Sequence, residues 1–172
     1  MVIKMTTTML KNEYTHEEWK VKEQYYIDAL MGMVIPKQPN SKEIMEFTTQ
    51  LDQLYTEASF DYANVSRALE IVSLDLKNAE AELFTTIKKQ QLAANTKITE
   101  NDVKGLVKTY IGTNKLKGYQ SDLYSVVKYY MDKHIFIQQV VKTISEKKNS
   151  LITDTAMLKI ENSFTGAKEP GR

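Results

Sequence analysis

The pattern of apolar residues predicts one very long helix between Asn40 and Ala94. Apolar side chains recur there every three or four residues, which is the spacing of a helix that buries one face along its whole length. No Gly or Pro falls between Pro39 and Gly105. Such a helix cannot bury its own apolar face, so we expect the rest of the chain to pack against it. The predicted inward positions are Ile44, Phe47, Leu51, Leu54, Ala58, Tyr62, Val65, Leu69, Val72, Leu76, Ala79, Leu83 and Ile87.

Two further helices are predicted after a turn at Asn95 and Thr96. Thr99 and Asp102 have the spacing of a capping box, which favours a helix start at that point. Residues 114–118 predict a break, and a last helix is expected from about Tyr119 to Leu151. The expected inward residues are Val103, Leu106, Val107, Tyr110 and Ile111 in the first of these helices, and Leu123, Val126 or Val127, Tyr130, Ile137, Val141 and Ile144 in the second.

The N-terminal region has weaker patterning. Residues 1–13 are predicted to form a loose arm, and a capping signature at Thr15 predicts a short helix over about 15–33. Pro36 and Pro39 then end this helix. The predicted organisation is an N-terminal arm with a short helix (1–39), a long helical hairpin (40–151) and a C-terminal tail (152–172).

The low Gly and Pro content, 6 and 3 residues, agrees with an all-α chain. Two long helices joined by a short turn fold back most simply as an extended antiparallel hairpin. A single hairpin leaves apolar surface exposed, so we expect a homo-oligomer.

Several functional classes find no support in the composition. Zero Cys excludes a disulfide framework and thiolate metal sites, and it suits a reducing interior. No apolar run is long enough for a signal peptide or a membrane span, so a cytoplasmic protein is expected, in the host cell if the protein is viral. His16 and His134 lack the spacing of a metal motif, and no catalytic or nucleotide-binding motif is present. We therefore predict a protein without enzymatic activity, metal or cofactor.

Charge is distributed unevenly along the chain. Residues 40–85 contain three basic and nine acidic residues, a net charge of −6. Residues 86–148 contain twelve Lys and five acidic residues, a net charge of +7. This asymmetry fits either pairing between two helices of the same chain or a surface that binds anions.

The basic half suggests an interface with nucleic acid. Lysine ammonium groups neutralise phosphates, and tyrosine rings stack on unpaired bases. The chain has only Arg67 and Arg172, which disfavours bidentate reading of duplex bases. Alternatively, the lysines form a solvated face or pair with the acidic helix, and Tyr110 and Tyr130 serve as packing residues. The candidate DNA-binding residues are Lys88, Lys89, Lys97, Lys104, Lys108, Lys115, Lys117, Tyr119 and Tyr124.

The order of these segments also prompts a family comparison. The acidic helix ANVSRALEIVSLDLKNAEAEL precedes the turn IKKQQLAANTK, the restart ITENDV and the final SVVKYYMDKHIFIQQVVKTISEKKNSL. Residues 40–151 thereby resemble the phage recombination mediators, the UvsY-like family. The resemblance implies an all-helical protein that assembles as a ring and binds single-stranded DNA without sequence preference. It also implies that the protein loads a recombinase onto DNA coated by single-strand-binding protein, with Lys88, Lys89 and Lys97 in the basic DNA-binding stretch.

The preferred functional prediction is therefore a non-enzymatic recombination mediator whose partners are single-stranded DNA, a recombinase and single-strand-binding protein. The alternative is a structural coiled-coil, scaffold or virion-associated protein that binds no nucleic acid. Lys88 and Lys89 separate the two hypotheses, since reversing their charge would impair DNA binding under the first and assembly alone under the second.

Overall fold

The computed structural model describes residues 16–36, 39–116 and 118–165, and within them the chain is all-helical. This confirms the predicted fold class, and the two longest helices pack together as a hairpin requires. No helix in these ranges combines the length and apolarity needed to cross a bilayer. The four helices are α1 (His16–Gly32), α2 (Ser41–Ala93), α3 (Glu100–Thr113) and α4 (Leu123–Thr165).

The long helix α2 begins and ends close to the predicted positions. The Asn40 side chain accepts hydrogen bonds from the backbone N–H groups of Lys42 and Glu43, each at 3.0 Å. The Glu43 carboxylate accepts one in return from the Asn40 N–H at 2.8 Å, which completes a capping box. Just beyond α2, Asn95 adopts a positive φ of 54°, a conformation that Asn tolerates better than most residues. Local signals in the sequence therefore define both ends.

The predicted start of α3 is also confirmed. Thr99 accepts a hydrogen bond from the Asp102 N–H, while the Asp102 side chain accepts one from the Thr99 N–H. The helix ends at Thr113, directly before the predicted break, and Gly118 has a φ of 98° in the connection that follows. A φ of this size favours glycine, which explains why the chain turns there.

The predicted bounds of the last helix were wrong at both ends. It begins at Leu123 rather than near Tyr119, because Asp122 caps it by accepting from the Ser125 N–H at 2.9 Å. It continues to Thr165, well past Leu151. Extending an existing helix needs only one residue fixed per hydrogen bond, so a weak apolar pattern does not end it. The predicted arm 1–13, the cap at Thr15 and the residues 166–172 lie outside the described part of the chain.

The chain divides into two compact units. The terminal unit is described here by residues 16–62 (without 37–38) and 136–165, and the turn unit by residues 63–135 (without 117). Helix α2 contributes residues 41–62 to the terminal unit and the remainder to the turn unit. In each unit, the two long helices contact one another in antiparallel order.

The core of the terminal unit joins three helices. Helix α1 and the segment after it supply Tyr26 and Met33, which pack against α2 and α4. The remaining buried members of this cluster are Leu51, Leu54 and Ala58 from α2 and Ile137, Val140, Ile144 and Leu151 from α4. Val140 is therefore the buried residue where Val141 was expected, and Val141 is half-buried at the edge of the cluster.

Helix α3 packs on α2 in the turn unit. Its buried residues Val103, Val107 and Ile111 are spaced four apart. Leu106 and Tyr110 were expected to face inward as well, but they are exposed at 47% and 37%. A helix of 14 residues that packs through one face buries only a narrow stripe, so the residues beside that stripe stay in solvent.

Candidate nucleic-acid interface

The predicted lysines belong to the turn unit, close to the connection between α2 and α3. Lys88 and Lys89 lie in the last two turns of α2, and Lys97 lies in the connection. Lys104 and Lys108 are one turn apart on α3, and Lys115 follows that helix. All six side chains are exposed. Lys117, the seventh predicted lysine, lies outside the described residues.

Most of these lysines have no acidic partner in the described part of the chain. Within that part, Lys104 is the one member of the six that forms an ion pair, with Glu100 at 3.0 Å. The hydrogen bond and charge of Lys104, and then the charge of Lys88, hold the pKa of the Glu100 carboxyl below its ordinary value. The Lys88 ammonium lies 4.8 Å from the centroid of the Phe84 ring, a cation–π contact. The connection between α2 and α3 therefore carries exposed positive charge.

The two predicted tyrosines are tied to α2 by their hydroxyl groups. The Tyr119 hydroxyl donates to Asp75, and the Tyr124 hydroxyl donates to Glu80 at 2.9 Å. Burial, and secondly the hydrogen bond to Glu80, raise the pKa of Tyr124 to about 12. Both rings are half-buried and pack against the apolar core of the turn unit. Tyr119 and Tyr124 thus connect the start of α4 and the segment before it to α2. Their stacking on bases stays a prediction.

An open groove of about 640 Å³ lies between α2 and α3 within the turn unit. Its apolar surface includes Phe84 and Val107, and Lys104 and Lys108 project from the α3 side. The lining residues are Lys77, Glu80, Ala81, Phe84, Thr85, Glu100, Lys104, Val107 and Lys108. An apolar surface edged by ammonium groups suits a ligand that combines an apolar face with negative charge.

Lys77 and Phe84 line this groove and are suited to contact a ligand, but they were not among the predicted DNA-binding residues. Lys77 lies in the acidic part of α2, where a single lysine does not stand out against the surrounding carboxylates. A helical-spacing signal was nevertheless present, because positions 77, 81, 84 and 88 follow one another at steps of three or four residues.

The acidic residues of α2 in the terminal unit have other partners. Asp61 is fully buried, where it pairs with Lys22 and accepts a hydrogen bond from the Tyr26 hydroxyl at 2.7 Å. Burial and this hydrogen bond strongly raise the pKa of Tyr26. Closer to the start of α2, the exposed Asp52 pairs with Lys148. The pairing predicted for lysines of the basic half thus occurs here through Lys148, while Lys22 is an additional partner from the N-terminal region.

No group of three or more His, Cys, Asp or Glu side chains suited to a metal ion occurs in the residues that the structure describes. No family model, curated protein or solved structure matches the chain.

Proposed function

We propose that the chain is a non-enzymatic protein that binds single-stranded DNA, without sequence preference, through the lysines of the turn unit. The observation that supports this most directly is the contrast among the lysines. Lys22 and Lys148 pair with carboxylates, whereas Lys88, Lys89, Lys97, Lys108 and Lys115 form no ion pair within the described residues. Exposed ammonium groups without an ion pair, spread over the end of α2, the connection after it and α3, attract phosphates and release the counterions that those phosphates hold.

The type of residue favours a single strand over a duplex. Lysine acts as a point charge toward phosphate and lacks the planar donor pair with which arginine reads guanine edges. A flexible strand can follow a curved surface of lysines and place its unpaired bases on apolar groups such as those of the α2–α3 groove. Both considerations support binding through the backbone with little regard to sequence.

The role of recombination mediator rests on the family resemblance of residues 40–151. Under this proposal, a homo-oligomer, in the form of a ring, presents several turn units to one strand in the cytoplasm. It then helps a recombinase replace single-strand-binding protein. The exposed apolar residues support the oligomeric part of the proposal, since large apolar side chains in solvent favour association. They include Leu74, Leu92, Met131 and Ile135 in the turn unit.

The test is a titration of labelled oligonucleotide at several salt concentrations with the whole chain and with the double variant Lys104→Gln/Lys108→Gln. Each lost phosphate contact should lower the salt slope by about 0.7, so the double variant should bind about 20-fold more weakly near 0.1 M salt, with a slope lower by about 1.4. The matched control is Lys20→Gln/Lys142→Gln, which removes two exposed, ion-paired lysines of the terminal unit. Absence of binding by the unmodified chain at low salt would refute the proposal.

A structural scaffold is the second candidate, and exposed apolar residues of the terminal unit favour it. Val21, Met31, Val34 and Phe60 are each at least 65% exposed. Mass measurement in solution separates the candidates. A scaffold forms the same oligomer with and without oligonucleotide, and the charge reversals Lys88→Glu and Lys89→Glu then alter assembly alone. A mediator adds the mass of bound DNA, and the same reversals abolish that increase.

A further inference from the structure

The α2–α3 groove contains an aromatic ring at the centre of its lysines. We infer that Phe84 is the surface on which a base of bound single-stranded DNA stacks, and that Lys88 covers this ring until a base replaces it. The inference rests on the proposed function. It adds Phe84, as a stacking residue, to the predicted DNA-binding residues, which did not include it.

The environment of the ring supports a base at this position. Phe84 lines the groove beside Val107 and is half-buried, so one side of the ring packs against the core while another part remains accessible. The Lys88 ammonium is 4.8 Å from the ring centroid. A cation over an exposed aromatic face is a weak contact, and stacking of a base on an aromatic ring is a stronger one, so the exchange is favourable.

The same exchange places Lys88 where phosphate binding needs it. In the free chain its ammonium lies over the ring and close enough to Glu100 to lower the pKa of that carboxyl. A base on Phe84 brings its phosphates to the edge of the groove, and the displaced ammonium can then pair with one of them. The Lys88 ammonium then pairs with a negatively charged phosphate, and the Phe84 ring contacts the flat face of the base.

The charges of the groove favour a polyanion. Lys77, Lys104, Lys108 and Lys88 supply four positive charges around the ring. Two carboxylates oppose them, and both are engaged: Glu80 accepts from Tyr124, and Glu100 accepts from Lys104. The net charge of this group is +2, which attracts a polyanion such as a DNA strand.

The spacing of two lysines of α2 on either side of Phe84 also suits a strand. Lys77 and Lys88 are eleven residues apart on α2, about 16 Å along the helix axis. At about 3.4 Å per nucleotide of stacked strand, this distance corresponds to roughly five nucleotides, and to fewer when the strand is extended. One base at Phe84 with phosphates toward Lys77 on one side and Lys88 on the other fits within that span.

The test compares two length-matched oligonucleotides, oligo(dT) and an abasic strand with the same backbone. The unmodified chain should bind oligo(dT) at least about fivefold more tightly, because the abasic strand keeps every phosphate but has no base to stack. Phe84→Leu should bring this ratio close to one, and Phe84→Tyr should retain it. The control Phe60→Leu changes an exposed phenylalanine of the same helix in the terminal unit and should leave the ratio unchanged.

Two further outcomes distinguish failure of the inference from failure of the proposed function. If neither oligonucleotide binds at low salt, the proposed function is wrong and the inference falls with it. If both bind equally, or if Phe84→Leu keeps the ratio, DNA binding stands and stacking on Phe84 is refuted. Folding of each variant is checked by its helical circular dichroism.

A second variant, Lys88→Met, tests the exchange between Lys88 and the base. It should lower overall affinity and reduce the salt slope by about 0.7, while the ratio of the affinities for oligo(dT) and the abasic strand is kept or raised. A ratio that falls to one would overturn the exchange with Lys88.

Discussion

The terminal unit and the turn unit use charge in opposite ways although α2 and α4 run through both. In the terminal unit, Asp61 is fully buried between Lys22 and Tyr26, and charge holds one helix to another. In the turn unit, the lysines from Lys88 to Lys115 remain in solvent, and Lys104 alone among the six described ones has an acidic partner. The same helix thus carries charge that joins two helices in one unit and charge that stays in solvent, where we propose that DNA binds, in the other.

This difference in the use of charge arises because a different helix packs on α2 in each unit. Helix α1 packs on α2 in the terminal unit and brings a lysine and a tyrosine to a carboxylate that would otherwise be costly to bury. The buried residues of α3 are all apolar, and two of them, Val107 and Ile111, pack in the cluster that contains Ala79 and Leu83 of α2. The charged residues of α3 consequently stay on the outer face and at the edge of the groove.

The largest effect is expected for Asp61→Ala. The substitution leaves the buried Tyr26 hydroxyl without its acceptor and Lys22 without its partner, and it should lower the free energy of unfolding by about 2 kcal/mol. Chemical denaturation measures this loss. The control Asp52→Ala removes an exposed carboxylate that pairs with Lys148, and it should cost less than about 1 kcal/mol.

The affinity of the same two aspartate variants for oligonucleotide is measured as well. Both aspartate variants should bind oligonucleotide as the unmodified chain does, because neither changes the turn unit. A loss of DNA affinity in Asp61→Ala, under conditions where the variant remains folded, would contradict the separation of roles between the two units.

A smaller effect is expected for Tyr124→Phe, which removes the hydrogen bond to Glu80. Near neutral pH the cost should be about 1 kcal/mol. The pKa of Tyr124 is raised from 10.0 to about 12 in the folded chain, so the stability from its neutral form is complete below pH 10. That stability is lost as the pH rises toward about 12. The difference in unfolding free energy between the unmodified chain and the variant should therefore shrink over this range.

Glu80→Gln provides the control for the tyrosine experiment. In the Glu80→Gln background, Tyr124→Phe should cost less and the change with pH should be smaller, because the charged acceptor is absent. An equal pH dependence in both backgrounds would show that Glu80 is not the partner that matters for Tyr124.

The smallest effect is expected for Glu100→Gln, and it concerns binding. The Glu100 carboxylate occupies the Lys104 ammonium at 3.0 Å, so phosphate must compete with it. Removing the charge should raise affinity for oligonucleotide about two- to fivefold at low salt, the size expected for an exposed ion pair. Glu82→Gln, an exposed carboxylate of α2 without an ion-paired lysine in the described residues, should give a smaller rise. Weaker binding by Glu100→Gln would contradict the placement of phosphate at Lys104.

The features that sequence reasoning predicted well are those set by nearby residues. The start of α2 near Asn40 and the capping box at Thr99 both depend on side chains three positions away, and both predictions are confirmed. The buried face of α2 follows from its regular spacing, and most predicted positions from Leu51 to Leu83 are buried. Lysine exposure near Lys88 is likewise a property of composition, since seven lysines and only two carboxylates occur between residues 86 and 117.

The features that escaped prediction depend on residues far apart in the chain. Asp61 lies on the apolar face of α2, where only the distant Lys22 and Tyr26 make a carboxylate tolerable. The groove at Phe84 exists because α3 packs beside α2, which a pattern along one helix does not reveal. The Tyr119 and Tyr124 hydroxyls are bound by carboxylates 44 positions earlier, so their packing role emerges only from the fold.

These sequence separations also bear on the order in which the chain folds. In the turn unit, the hydrogen bonds of Tyr119 and Tyr124 close loops of 44 residues, whereas the pair Asp52–Lys148 in the terminal unit closes one of 96. Loop closure costs entropy that grows with the logarithm of length, here a difference of about 0.7 kcal/mol. Among the contacts that hold α4 and the segment before it to α2, those of Tyr119 and Tyr124 are therefore expected to form before Asp52–Lys148. The contacts of Asp61 with Lys22 and Tyr26 close loops of only 39 and 35 residues, so α1 can dock on α2 without waiting for either.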